Sequence, residues 1–319
     1  MPMFEMPLEK LKEYKGSSPC PDDFDEYWDR ALKEIRSIDP SPVVTPAAFQ
    51  SEFTECNDMY YTSAGFGKVY AKYLKPKNDH GKHPVVLCFH GYFGSSYDWT
   101  SYFKWTLAGF SVLAMDCRGQ GGKSPDMLTE EGPTLKSQFI RGLEGDVDKM
   151  EYRQIYLDTV QLARIAEKLP EADPERIYAT GGSQGGGLTL ACSALYTNIK
   201  KLAPVYPYLS DFKRVWNMDI SDQAYDGLKY YFRVHDPRHE REDEIYNRLG
   251  YLDVQNLAGR IKGEVLYFTG LMDKICPPSS QFAAYNKIKS KKHMHIYPDY
   301  GHERMPDRDD LIYKFFTQD

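Results

Sequence analysis

The chain has 319 residues, enough for one large α/β unit with a sizeable core, and its 41% hydrophobic and 27% charged residues are ordinary for a globular protein. A net charge of −6, with both signs scattered, leaves no basic run for nucleic acid, and no apolar stretch approaches the ~20 residues of a membrane helix. The six cysteines form no C-x-x-C pair and Met1–Gly16 lacks the apolar run of a signal peptide, so the sequence reads as a soluble, cytoplasmic chain without a disulfide framework.

Phe24, Trp28, Leu32 and Ile35 recur at helical spacing behind Pro21, Asp22 and Asp23, which predicts an N-terminal helix. A loop marked by Pro40, Pro42 and Pro46 follows. Val69–Leu74, Val85–Phe89 and Ser111–Met115 read as strands. Ile155–Leu169 reads as an amphipathic helix with Ile155, Leu162, Ile165 and Leu169 on one face. Arg176–Thr180 is a strand and Leu188–Leu195 a helix; Leu202–Val205, Glu264–Phe268 and His293–Tyr297 are further strands, and Asp309–Phe316 is a closing helix. Such alternation predicts an α/β fold, a mostly parallel sheet with helices on both faces. Residues 118–150 and 210–255 break the rhythm and are expected as excursions near the carboxyl edge of the sheet, where open α/β sheets bind ligands. The expected organisation is a single unit over 1–319, with an N-terminal helical extension over about 1–45 and an insertion over about 210–255.

Gly181-Gly182-Ser183-Gln184-Gly185 has the form G-x-S-x-G, with a strand running into it and a helix after it. That is the setting of the nucleophile elbow of α/β-hydrolases, in which a serine on a tight turn projects above the sheet. Side chains two residues before and two after would strike neighbouring backbone, which explains the glycines. The Gln184 N–H, at a helix start, is one candidate donor to an oxyanion. The loop His90-Gly91-Tyr92-Phe93-Gly94 follows an earlier strand and supplies Tyr92 N–H as the second. His90 is expected to brace that loop rather than act as a base.

In this fold the acid and the histidine follow the serine in that order. Asp273 lies just past one strand and His302 just past the next, which makes them the candidates. Asp299 is closer to His302 in sequence, but chain order favours Asp273. Gly301 is expected to give the histidine turn its freedom. His293 and His295 alternate along a strand without a carboxylate or thiolate to complete a metal set, so no metal is expected. Gly122-Lys123-Ser124 ends like a phosphate loop, yet the required first glycine is Cys117. His235 and His239 lack the glutamate of a zinc-protease helix, and Pro237 interrupts it.

Arg118-Gly119-Gln120, Gly181–Gly185 and His302-Glu303 together resemble the three-part signature of the family-seven carbohydrate esterases, the acetyl xylan esterases and cephalosporin-C deacetylases. Asp22–Trp28, Gly270–Asp273 and Cys276-Pro277-Pro278 add to the resemblance, which spans nearly the whole chain. It implies a Ser183–Asp273–His302 triad, an oxyanion hole of the Tyr92 and Gln184 amides, and structural roles for Arg118, Gly119, Gln120 and Glu303. It also implies no cofactor, small acetylated substrates, and an intracellular homo-oligomer, typically a hexamer. The leading expectation is a serine esterase acting on acetylated xylo-oligosaccharides and other small acetyl esters, including cephalosporin C, through an acyl-enzyme. A serine exopeptidase and a non-catalytic binding protein on the same fold are the alternatives.

Overall fold

Every residue from Val85 to Phe89 is apolar, and the pleat of a strand sends alternate side chains to opposite faces. A computed structural model of the chain, describing residues 5–77, 81–130, 137–220 and 223–318, shows where they go. Val85, Leu87 and Phe89 enter one hydrophobic core; Val86 and Cys88 enter a second on the far side of the sheet. Residues 1–4 of the N-terminal extension, 131–136 of the first excursion and 221–222 of the insertion lie outside the described residues.

Among the described residues the strands are β1 Val43–Pro46, β2 Thr54–Thr62, β3 Lys68–Pro76, β4 His83–Phe89, β5 Ser111–Met115, β6 Ala172–Gly182, β7 Lys201–Val205, β8 Glu264–Gly270 and β9 Lys292–Tyr297. They form one nine-stranded sheet in the order β1-β2-β3-β5-β4-β6-β7-β8-β9. β1, β2, β3 and β5 pair antiparallel. From β5 through β4 to β9 every pairing is parallel. The parallel part aligns the carboxyl ends of β4, β6, β7, β8 and β9 along one edge, where loops can meet.

The helices are α1 Leu8–Leu11, α2 Phe24–Ser37, α3 Phe103–Leu107, α4 Glu151–Lys168, α5 Gln184–Leu195, α6 Phe212–Asn217, α7 Asp226–His235, α8 Glu242–Gly250, α9 Val254–Leu257, α10 Pro278–Lys287 and α11 Arg308–Thr317. The larger core takes side chains from α2, α4, α5 and the helices between residues 212 and 257. Trp105 of α3 and Ile312 and Phe316 of α11 close the other face. No described helix is long and apolar enough to cross a membrane. All six cysteines are free: Cys20 is exposed, and Cys56, Cys88, Cys117, Cys192 and Cys276 are buried.

The structure departs from the sequence reading in several places. The proline-marked segment carries β1, a fully exposed edge strand, and β2 beside it was not read at all. Proline is tolerated on an edge, where its missing N–H faces no partner, and β2 hides its alternation behind Glu55, Asn57 and Asp58. Helix α4 is not amphipathic: every residue from Glu151 to Ala163 is buried, and Leu169 lies just past its end. It is packed between the sheet, α2 and α5, so polar side chains such as Arg153, Asp158 and Gln161 are buried too. Helix α10, behind Pro277-Pro278, was also unread; proline favours its first turn.

Candidate active site

Strand β6 ends at Gly182 and α5 begins at Gln184, leaving Ser183 alone on the turn with φ 58° and ψ −119°. A side chain in that conformation costs about 1–3 kcal/mol and persists only where its surroundings hold it. Three hydrogen bonds do so. The Ser183 N–H donates to the Val205 carbonyl at 3.0 Å, and the Ser183 carbonyl accepts from the N–H groups of Gly187 and Tyr208, each at 3.0 Å. A Cβ at either Gly181 or Gly185 would run into the Phe89 carbonyl oxygen, so β4 packs against the elbow only because both are glycine. The Gln184 N–H then lies at the positive end of the α5 dipole.

The loop after β4 is held from below by His90. Its Nδ1–H donates to the Gly91 carbonyl at 2.7 Å, and its Nε2 accepts from the Cys117 N–H at 3.0 Å. Both ring nitrogens are therefore engaged, and burial lowers the imidazole pKa, which keeps the ring neutral. Phe93 follows with φ 57°, a second left-handed residue at this edge. The Tyr92 hydroxyl accepts from the Gln138 N–H at 3.0 Å, and its ring lies 5.7 Å from that of Tyr208. Among the described residues neither the Tyr92 nor the Gln184 N–H donates to another group, which leaves both free for an oxyanion.

Asp273 follows β8 and is fully buried. Its Oδ1 accepts from the N–H groups of Ile275 at 2.9 Å and Cys276 at 2.8 Å, and its Oδ2 from Gln281 Nε2 at 3.3 Å. The same Oδ2 meets His302 Nδ1 at 2.8 Å. A carboxylate there places the ring proton on Nδ1 and leaves the Nε2 lone pair for a hydroxyl. The imidazole thus pairs with Asp273 and not with the nearer-in-sequence Asp299. Gly301 does not adopt a positive φ; its missing side chain instead lets the Met272 carbonyl approach. Glu303 is exposed, and its Oε1 accepts the Gly301 N–H at 3.1 Å, closing the turn around His302. The Ser183 side chain neighbours the Cys276 thiol. No hydrogen bond joins it to His302, and catalytic bonds of this kind often form only with substrate in place.

Of the remaining signature residues, Gln120 braces the elbow and Arg118 ties α4 to the turn at Ala64. Gln120 Nε2 donates to Gln184 Oε1 at 2.7 Å, Gln184 Nε2 returns a bond to Gln120 Oε1 at 3.1 Å, and Tyr152 donates to Gln184 Oε1 at 2.7 Å. The Gln184 side chain is therefore fixed by the loop after β5 and by Tyr152. Gly119 has φ 60°, the left-handed region that favours glycine. Arg118 is buried and holds Asp158 of α4 with Nε at 2.6 Å and Nη2 at 2.5 Å, and the Ala64 carbonyl with Nη2 at 2.8 Å. Removing one partner of such a buried pair costs about 3–5 kcal/mol. Among the described residues no group of three or more His, Cys, Asp or Glu side chains has the arrangement to hold a metal, and His293 and His295 pack on each other with ring centroids 4.7 Å apart.

The model of the acetyl xylan esterase family (AXE1) matches residues 1–319. The chain belongs to that family. It is 52% identical to acetyl xylan esterase 1 from Thermoanaerobacterium sp. JW/SL YS485 over 98% of this chain and 99% of that one, with a TM-score of 0.97. It is 34% identical to an acetyl xylan esterase from Paenibacillus sp. R4, again over 98% and 99%, with a TM-score of 0.93. It is also 28% identical over 304 residues to the acetyl esterase Axe7A of Xylanibacter ruminicola, and spans 64% of that protein's length. The α/β-hydrolase fold follows from these matches, and the family is one of carboxylic ester hydrolases.

Two residues at this family member's site escaped sequence reasoning. Tyr206 is the first residue after β7, and its ring lies 4.4 Å from that of His302. Its place at a strand's carboxyl end was the available signal. Cys276 lies against both Ser183 and Asp273, and burial and the Asp273 charge push its thiol pKa well up. Neutral and packed, it behaves as a small wall residue beside the nucleophile.

Proposed function

We propose that the chain is a serine esterase that removes acetyl groups from acetylated xylo-oligosaccharides and other small acetyl esters, cephalosporin C among them. The observation that carries this reading is the convergence, from three separate parts of the sequence, of a strained serine, a histidine and a buried aspartate along one sheet edge beside two unoccupied N–H donors. Ser183 Oγ attacks the acetyl carbon while His302 Nε2 takes its proton. The oxyanion is held by the N–H groups of Tyr92 and Gln184. His302 returns the proton to the departing alcohol oxygen, leaving acetyl-Ser183, and a water deprotonated by His302 then releases acetate. Asp273 holds the imidazole in the required tautomer throughout.

The family resemblance further supports a cytoplasmic homo-oligomer, a hexamer, which light scattering on the purified chain would test. Ser183→Ala is expected to lower hydrolysis of a chromogenic acetate ester by several orders of magnitude, roughly 10⁴–10⁶-fold. Turnover near the unsubstituted level would refute the assignment. An aminoacyl amide cleaved faster than acetate esters would favour the exopeptidase alternative instead.

A further inference from the structure

A cavity of about 170 Å³ opens beside the elbow, between the carboxyl ends of β4, β6 and β7 and the helices α3 and α11. We propose that it receives the alcohol half of the ester as a single hydroxyl-rich ring, such as one pyranose, and that Tyr206 and Arg308 position that ring. The proposal rests on the esterase reading of Ser183.

Direction comes first. The departing oxygen takes its proton from His302, so the alcohol lies on the histidine's side of the reacting carbon and the oxyanion on the side of Tyr92. These sides are distinct here. Tyr92 packs against the core under α4 and α5, whereas Tyr206 packs against the core under α3 and α11. Tyr206 touches the His302 ring and also lines the cavity, as does Gly182, the residue before the nucleophile. Ser183 and His302 do not themselves line the cavity; Gly182 and Tyr206 are the residues that join it to them.

Chemistry narrows the occupant. Arg308 Nη1 donates to the Tyr206 hydroxyl at 3.3 Å, and the Tyr206 hydroxyl keeps its own proton to donate. Arg308 Nε and Nη2 hold Asp309 Oδ1 at 3.2 Å and 2.9 Å, which offsets the guanidinium charge and leaves carboxylate lone pairs to accept. Lys104, the other charged lining group, is exposed, with its ammonium 5.1 Å from the Trp105 ring centroid. Donors and acceptors thus stand beside an aromatic wall, the pattern that suits a ring bearing hydroxyls on its edge and C–H groups on its face. The volume falls below the ~300–1,000 Å³ of sites for larger ligands, which limits the occupant to one ring. Tyr206 itself has φ 32°, a strained conformation secured by its N–H bond to the Phe268 carbonyl at 2.8 Å. Strain of this kind, next to the reacting centre, fits a side chain held in place for a task.

The test compares two esters of the same acid, a monoacetylated methyl xyloside and methyl acetate, whose alcohol is too small to fill the cavity. Arg308→Met removes a donor, and Ser101→Trp, an exposed lining position, fills the space. Each is expected to lower the ratio of kcat/KM for the xyloside to that for methyl acetate by about tenfold, carried by KM, and Arg308→Lys is expected to recover part of it. Ratios within twofold of the starting value in both variants would overturn the proposal, as would equal losses in kcat for the two esters. The esterase reading fails separately, if the unsubstituted protein hydrolyses neither ester or Ser183→Ala hydrolyses both.

Discussion

Asp273 holds its two backbone donors on Oδ1 and His302 on Oδ2, and that asymmetry decides what an amide would do in its place. In Asp273→Asn the N–H groups of Ile275 and Cys276 keep the amide oxygen at the Oδ1 position, so the NH₂ turns toward the imidazole. His302 must then accept at Nδ1 and carry its proton on Nε2, where the proposed mechanism needs a lone pair for Ser183. The variant is expected to fold normally and lose about 10⁴-fold in kcat on an acetate ester. Retention of a tenth of the activity or more would show that the tautomer does not matter. At this scale the sequence nominated residues by motif and chain order, Ser183, Asp273, His302 and the Tyr92 and Gln184 amides, and the structure pairs His302 with Asp273 and sets Ser183 on a strained turn. It concealed Cys276 and Tyr206, because a thiol and a phenol become site residues only through neighbours brought up by the fold.

One side chain of the insertion gathers four bonds from the segment before α2. Asp211 accepts from the Tyr14 hydroxyl at 2.7 Å, the Ser17 N–H at 3.0 Å, the Ser17 hydroxyl at 3.1 Å and the Ser18 N–H at 2.8 Å. Its own N–H donates to Asp253 at 2.9 Å. Burial, and next the Asp211 charge, push the Asp253 pKa up to about 6. Asp211→Ala strips four donors of their acceptor and is expected to cost roughly 2–4 kcal/mol. It should also release the chain ahead of Pro21, giving a new early cut in limited proteolysis. An unchanged cleavage pattern and denaturant midpoint would show that the tie carries no weight. The central strands were legible as short continuous apolar runs, and α2 because its burial follows a period of about 3.6. β1 and β2 were not, because one is an exposed edge and the other breaks its alternation with polar residues; α4 was legible as a helix, but not its burial on every side.

Across the whole molecule, burial in α4 leaves a signature in the pH dependence of stability. Glu151 is pushed up to about 7, by burial first; Arg141, 3.3 Å away, opposes this, as does Arg118, while the charges of Asp126 and Asp158 reinforce it. An unfolded glutamate titrates near ~4.3. Between these values the folded chain holds a proton that the unfolded chain has released. Raising the pH through that window therefore costs stability, with no penalty below it and the full penalty above. Glu151→Gln never ionises, so its melting temperature relative to the unsubstituted protein should rise from pH 5 to pH 8. A difference that stays flat over that range would contradict the assignment. The two excursions also meet across the molecule: the Ser137 hydroxyl shares its proton between the Ala224 carbonyl at 3.0 Å and Asp226 Oδ1 at 2.7 Å. Alternation of strands and helices predicted the parallel part of the sheet. It carried no information on this contact, which joins residues 87 and 89 positions apart.

The distribution of free thiols turns the protein into its own clock. Cys20 meets a thiol reagent on the folded chain, whereas the five buried cysteines react only when their surroundings open. Cys88 lies within β4, Cys192 within α5 and Cys276 in the loop after Asp273, so three distinct regions carry a built-in timer. The order in which mass spectrometry finds them modified would separate breathing of the aspartate loop from unfolding of the sheet, with no probe introduced.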